Sequence, residues 1–428
     1  MLKISLLLNS SVTLLAILIN FIFKIYLTRK FPSNELVVYY TIIDIVTLAM
    51  RFFIGFKDAL VTTYNKIIDT YNKIRFLNIF TILFTIFIAF VGFCIIPFSR
   101  YFLMFGDING SQINWLYLSF LFIILSFNSY IDNLLLLRKY NIMLSILSIA
   151  KVILFVLVIF LETIIVKDYA RYNVLIITFI SVEFIIFLIG CFTIFIKLDK
   201  KYIKMVITYY KFDFKERNII ENIKMSFVSS FGFFIYGVLL FAPVFMMTRE
   251  ENIAELGNFQ VVARSIYFAL ISICSWPLGR FLFPHISRLI GYKNFIEVKI
   301  IQRKIIILLI IFGVASITSC WLLSKMIIGY IFPEQYINSY EMINILIVAL
   351  PFVMYVNFSD SIIKSYGLYN IIIVIRAVGL LSFIFMYYIL YFIEVEYASI
   401  YSFVLSMLSI FVVSAYCEKR TLRDNIKL

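Results

Sequence analysis

Charge is what this sequence has least of. Only 14% of its 428 residues are charged and 63% are hydrophobic, whereas a soluble domain carries about 25% charged residues. Such a chain cannot be water-soluble. Histidine is nearly missing: the single His285 excludes His-based metal clusters and argues against His-dependent catalysis. The five cysteines, Cys94, Cys191, Cys274, Cys320 and Cys417, lie in or at the edge of apolar runs and show no metal-ligand spacing, so neither a metal site nor a disulfide is expected. No small-residue cleavage site follows the first apolar run, which at about 25 residues is too long for a signal-peptide core. There is no Asp-x-Asp motif, and no segment between apolar runs is long enough to fold as a domain. Any function must therefore sit among the apolar stretches.

What is present is a series of runs long enough to span a bilayer, which takes about 20 residues as helix. They fall near 4–28, 36–61, 74–97, 111–136, 141–166, 172–197, 220–247, 257–283, 302–330, 341–366, 369–393 and 396–417. Lysine and arginine crowd one set of connections, above all the stretch from Lys197 to Lys224 and the tail from Lys419 to Lys427. The other set holds Arg29, Lys30, Arg100, Lys167, Arg171 and Arg249. The orientation rule then puts both termini in the cytoplasm of a multi-pass membrane protein. It also accounts for the net charge of +14 without nucleic acid. The charged, aromatic segment 198–219 reads as an amphipathic cytoplasmic linker at a membrane surface, between an N-terminal six-helix lobe (1–197) and a C-terminal one (220–428).

The halves carry a faint copy of each other. Displaced by 220 residues, Thr28-Arg29 falls on Thr248-Arg249 and Glu35-Leu36 on Glu255-Leu256, in both cases between the first and second span of a half. Six spans per half give both copies the same orientation, hence a pseudo-two-fold axis along the membrane normal and a substrate site between the lobes.

Several stretches are familiar. Asn9-Ser10-Ser11 with Tyr26-Leu27-Thr28-Arg29, the run Glu255 to Arg264, Pro277 with Leu282 to Ser287, and Ile331-Phe332-Pro333-Glu334-Gln335-Tyr336 resemble the polysaccharide flippases of the multidrug/oligosaccharidyl-lipid/polysaccharide (MOP) exporter superfamily, its O-antigen and capsule branch. Pro333 stands where that family usually has glycine. The resemblance implies an all-α integral membrane fold of about twelve transmembrane helices in two pseudo-symmetric lobes, similar to the MATE transporters and alternating access to a central cavity. It implies a polyprenyl-pyrophosphate-linked oligosaccharide as cargo and membrane lipids as surroundings. It also implies a polysaccharide polymerase and chain-length regulator as partners, H+ or Na+ as coupling ion, and no cofactor. Lipid II flippases of the superfamily usually have two further helices, which this chain lacks.

Ionisable residues deep in spans cost roughly 2.5–3.5 kcal/mol each on insertion scales, so they pair or face water. Arg51, near the middle of span two, Arg264 on span eight, Lys151 in mid span five and Lys24 near the outer end of span one suit a pyrophosphate headgroup. A guanidinium offers forked donors and an ammonium a point charge. The resemblance adds that lipid II flippases carry cavity bases on spans one, two and eight, as Lys24, Arg51 and Arg264 do here. The acids leave two readings open, ion coupling or ion pairing. Asp44 lies seven residues before Arg51, Glu183 is level with Lys151, and Asp360 is level with Arg376. Asp132, beside Asn128 and Asn133, could hold a coupling cation. Pro243, Pro277 and Pro351 fall inside spans, where a proline permits a kink.

A multidrug exporter of the same superfamily is the competing transport reading. Its organic-cation cargo calls for acids without matching bases, and here deep bases at least equal acids. A glycan-joining membrane enzyme is the third; short outer loops and the missing carboxylate motif count against it.

Overall fold

The computed structural model describes residues 2–67, 70–103, 115–137, 140–165, 172–197, 217–249, 253–277, 286, 289–290, 294–366 and 368–426. The core of the expected linker, 198–216, lies outside them, as do Arg280 and His285. The described residues are almost entirely helical: α1 (Leu2–Lys30), α2 (Ser33–Lys66), α3 (Thr70–Leu103), α4 (Trp115–Leu137), α5 (Asn141–Ile165), α6 (Tyr172–Lys197), α7 (Arg217–Arg249), α8 (Ile253–Gly257), α9 (Arg264–Pro277), α10 (Phe295–Ile331), α11 (Ser339–Leu346), α12 (Leu350–Ser365), α13 (Tyr369–Phe392) and α14 (Ala398–Ile426). A π-helical turn, Asn258–Ala263, joins α8 to α9, and a 3-10 turn, Ile347–Ala349, joins α11 to α12. Each of these joined pairs is one interrupted passage. Among the described residues, ten helical stretches are long and apolar enough to cross a bilayer, and Ile146–Leu161 of α5 is a shorter apolar one. The chain is an all-α, multi-pass membrane protein with about twelve crossings.

Local chemistry sets the helix ends. Helix α1 closes with Arg29 and Lys30 in its last turn, where cations meet the negative end of the helix dipole. Pro32 follows, and α2 opens with Glu35 in its first turn. The repeat reproduces this arrangement. Thr28 donates to Ile25 O (2.8 Å) and Thr248 to Val244 O (2.7 Å), α7 ends at Arg249, and Glu255 sits in the first turn of α8. Three of the four shared residues are thus helix punctuation, and the fourth, Leu36 or Leu256, is buried. At α10, the Asn294 side chain accepts from Glu297 N (3.3 Å) and donates to Glu297 Oε2 (2.9 Å), a reciprocal cap that satisfies an otherwise orphaned donor. Pro351, at the start of α12, lacks the N–H that a continuous helix would need, which explains the 3-10 turn before it.

The described chain divides into two compact units, Met1–Phe23 with Thr41–Phe234, and Lys24–Tyr40 with Ile235–Leu428. Unit 1 is held by phenylalanines. Phe53 meets Phe84, Phe87 and Phe122 with ring centroids 5.8, 5.2 and 5.3 Å apart, and such pairs add about 0.5–1.5 kcal/mol each beyond area burial. Gly55 lets α2 and α7 approach closely, since a Cβ there would lie 2.1 Å from the Ser230 amide nitrogen. In unit 2, α14 packs along α13 and α12. Gly313 of α10 admits the Pro351 ring, whose Cβ would be 2.8 Å from an added methyl.

Candidate functional site

Two of the basic residues named from sequence, Lys24 and Arg264, belong to unit 2. The Lys24 ammonium, at the last turns of α1, donates to Ser265 Oγ and lies 4.7 Å from the centre of the Tyr40 ring. Ser265 follows Arg264, whose guanidinium is 5.1 Å from the Phe241 ring and 5.4 Å from the Phe268 ring. Both cations are half-buried. Aromatic faces stabilise a cation electrostatically.

The π-helical turn positions this pair. Its wider winding lets the Ser265 hydroxyl donate to Gln260 O, five residues back (3.1 Å). Every residue of the turn is buried. Asn258 Oδ1 accepts from the Ser339 hydroxyl of α11 (3.1 Å). Gly257 before it permits contact with α2, since a methyl there would sit 2.6 Å from Ser33 Oγ. Single π turns inside α-helices occur frequently at functional sites.

The remaining residues sort into pairs. In unit 1, the Lys151 ammonium forms an ion pair with Glu183 Oε1; Glu183 is fully buried, whereas the Lys151 side chain is 35% exposed. Asn128 Nδ2 donates to Glu183 Oε2 (2.7 Å) and to Glu183 O (2.9 Å), and Lys151 also lies 5.6 Å from the Phe179 ring centre. In unit 2, Arg376 and Asp360 form a buried ion pair at 2.5 Å, and Tyr236 covers the guanidinium at 5.1 Å. Arg51 and Asp132 are half-buried and Asp44 is buried, all in unit 1, and each engages neighbouring groups. A separate cleft of about 490 Å³ in unit 1 is lined by Gly92, Phe93, Leu116, Phe120, Ile123 and Ile177 among others, an apolar surface away from the charged groups.

Sequence reasoning missed Ser265, Tyr40 and Glu418. Glu418 of α14 is fully buried, with Gln302 Nε2 donating to Oε1 (2.5 Å) and Tyr355 Oη to Oε2 (2.8 Å). A signal was there: Ile410, Ser414, Glu418 and Thr421 are spaced at helical intervals and all buried, so Glu418 continues the packed face of its helix. Among the described residues no cluster of His, Cys, Asp and Glu could hold a metal ion.

No protein-family model and no curated protein sequence matches the chain. Solved structures do, over nearly its whole length. An inward-facing multidrug resistance MATE family transporter of the MOP superfamily superposes with a TM-score of 0.76 at 13% identity, covering 99% of both chains. A MOP superfamily transporter from Pyrococcus furiosus, described as having a binding pocket of reverse polarity suggesting a different function, gives 0.73 at 13% identity, over 99% of this chain and 96% of that one. A Vibrio cholerae MATE transporter gives 0.72 at 11% identity, over 98% and 97%. The chain therefore has the fold of the MATE transporters of the MOP superfamily.

Proposed function

We propose that the chain is a membrane flippase whose cargo carries phosphate: a polyprenyl-pyrophosphate-linked oligosaccharide, moved from the cytoplasmic to the outer leaflet by alternating access. In this reading 1–197 and 220–428 are its two lobes and both termini are cytoplasmic. The observation that carries it is the meeting of Lys24 with Ser265, next to Arg264 on its aromatic frame. Two half-buried cations in one unit suit a pyrophosphate and repel an organic cation. The transporter fold supports the wider class, and a fold relative described as having reverse pocket polarity supports the idea that this architecture serves more than one cargo charge. Arg51 is a further contact for the headgroup under this reading, whereas Lys151, paired with Glu183, is not.

A second reading, a MATE-type cation-coupled multidrug exporter, is favoured by the identity of two of the matched structures. Reconstitution separates them. In proteoliposomes containing a fluorescent polyprenyl-pyrophosphate oligosaccharide, the parent should move label between leaflets. Each charge-assisted hydrogen bond removed costs about 1.5–3 kcal/mol, so Lys24→Ala with Arg264→Ala should slow flipping about a hundredfold or more without loss of folded protein. Unimpaired flipping by the double variant would sink the site. Efflux of a cationic dye with no movement of lipid would establish the exporter instead.

A further inference from the structure

Three of the buried acids meet different company. Glu183 meets Lys151 and Asp360 meets Arg376, whereas the hydrogen-bond donors to Glu418 are the neutral Gln302 of α10 and Tyr355 of α12. Charged groups nearby on those helices turn away: Lys299, Arg303 and Lys304 of α10 and Lys419 and Arg420 of α14 are exposed. Arg376 of α13 is engaged by Asp360 of α12. Glu341 of α11 is engaged by Tyr340 and Tyr397, which donate to it at 2.8 and 3.3 Å. Lys364 of α12 lies beyond Ser359 and is engaged by other groups. Among the described residues the titratable group hydrogen-bonded to Glu418 is therefore Tyr355, with Ser359 buried one turn further along the same helix face.

We propose that Glu418 is a proton-binding site that couples the packing of α10, α12 and α14 to pH. A carboxylate out of water among neutral donors has lost its hydration and, among the described residues, gained no counter-charge. The neutral acid fits the same place. A phenol both donates and accepts, so Tyr355 can turn to accept the carboxyl O–H while Gln302 continues to donate to the other oxygen. The site thus has a full set of partners in either protonation state, which a lysine or arginine partner would not allow. Hydrogen bonds to an ionised carboxylate are stronger than those to a neutral acid. Gain or loss of one proton therefore tightens or loosens a clamp between three helices, a local charge change acting on a packed element. The inference rests on the transporter reading for its physiological sense, but the binding of the proton stands or falls alone.

The test is infrared difference spectroscopy on the purified full-length protein in lipid nanodiscs, titrated from mildly acid to mildly alkaline pH. The expected result is a protonated-carboxyl C=O stretch that fades as pH rises, disappears in Glu418→Gln, and shifts in frequency in Tyr355→Phe because its hydrogen-bond partner has changed. Replacing sodium by choline should leave it unaltered. A spectrum identical in parent and Glu418→Gln at every pH would overturn the proposal, as would a band erased by sodium at constant pH, which would make this a sodium site. If Glu418→Gln does not fold, the Tyr355→Phe shift decides, and an unshifted band refutes. If the proteoliposomes move no lipid yet the band titrates as described, the cargo assignment fails and the proton site survives.

Discussion

Removing one member of the Asp360–Arg376 pair should be far worse than removing both. The two side chains are only 7% and 4% exposed and 2.5 Å apart, and Asp360 Oδ1 has no hydrogen-bond partner among the described residues. Breaking a buried pair from one side costs about 3–5 kcal/mol because a charge is left in a low-dielectric site, whereas replacing both partners by apolar groups is often neutral or stabilising. Each single variant should therefore be destabilised by about 3–5 kcal/mol, while Asp360→Leu with Arg376→Met should lie close to the parent. Equilibrium unfolding in mixed micelles measures all three. Single variants costing under about 1 kcal/mol would refute the reasoning, as would a double variant as unstable as either single one.

Two further perturbations test the packing. An alanine at Gly379 would place its Cβ 2.2 Å from Ile410 Cδ1, the flexible end of a side chain, whereas one at Gly55 would meet the Ser230 backbone at 2.1 Å. Overpacking costs about 1–3 kcal/mol; thermal unfolding should show Ile410→Ala partly rescuing Gly379→Ala, while no side-chain truncation rescues Gly55→Ala.

The fold was legible because apolar length is a coarse, additive signal: bilayer thickness imposes it on every crossing. The helix ends at Thr28-Arg29 and Thr248-Arg249 were legible as a repeat because dipole and capping rules act on a few local residues. What lay beyond sequence was register. The distance from Lys24 to Ser265 along the chain gives no hint that they meet, since a π turn adds a residue to the helix without any distinctive residue type. The ion pairs were half-legible: equal depth marked Lys151 with Glu183 and Asp360 with Arg376, but only the helix rotations made them contacts.

Glu418 shows why depth alone misleads. Flanked by Lys419 and Arg420 near the end of the last helix, it reads as part of a solvated terminus. Rotation overrides depth: on a helix, neighbours in sequence point about 100° apart, so two exposed cations and one fully buried acid coexist in three consecutive positions. The helix is bent to that choice by nothing local, since the packed stripe through Ile410, Ser414 and Thr421 fixes which way position 418 faces. A site selected only for packing would hold an apolar side chain there, because a buried carboxylate without a counter-ion is costly at the same volume. Its presence between Gln302 and Tyr355 therefore needs a chemical reason. Glu183 and Asp360 are each locked to a cation; an acid held by an amide and a phenol can gain or lose a proton without losing a partner.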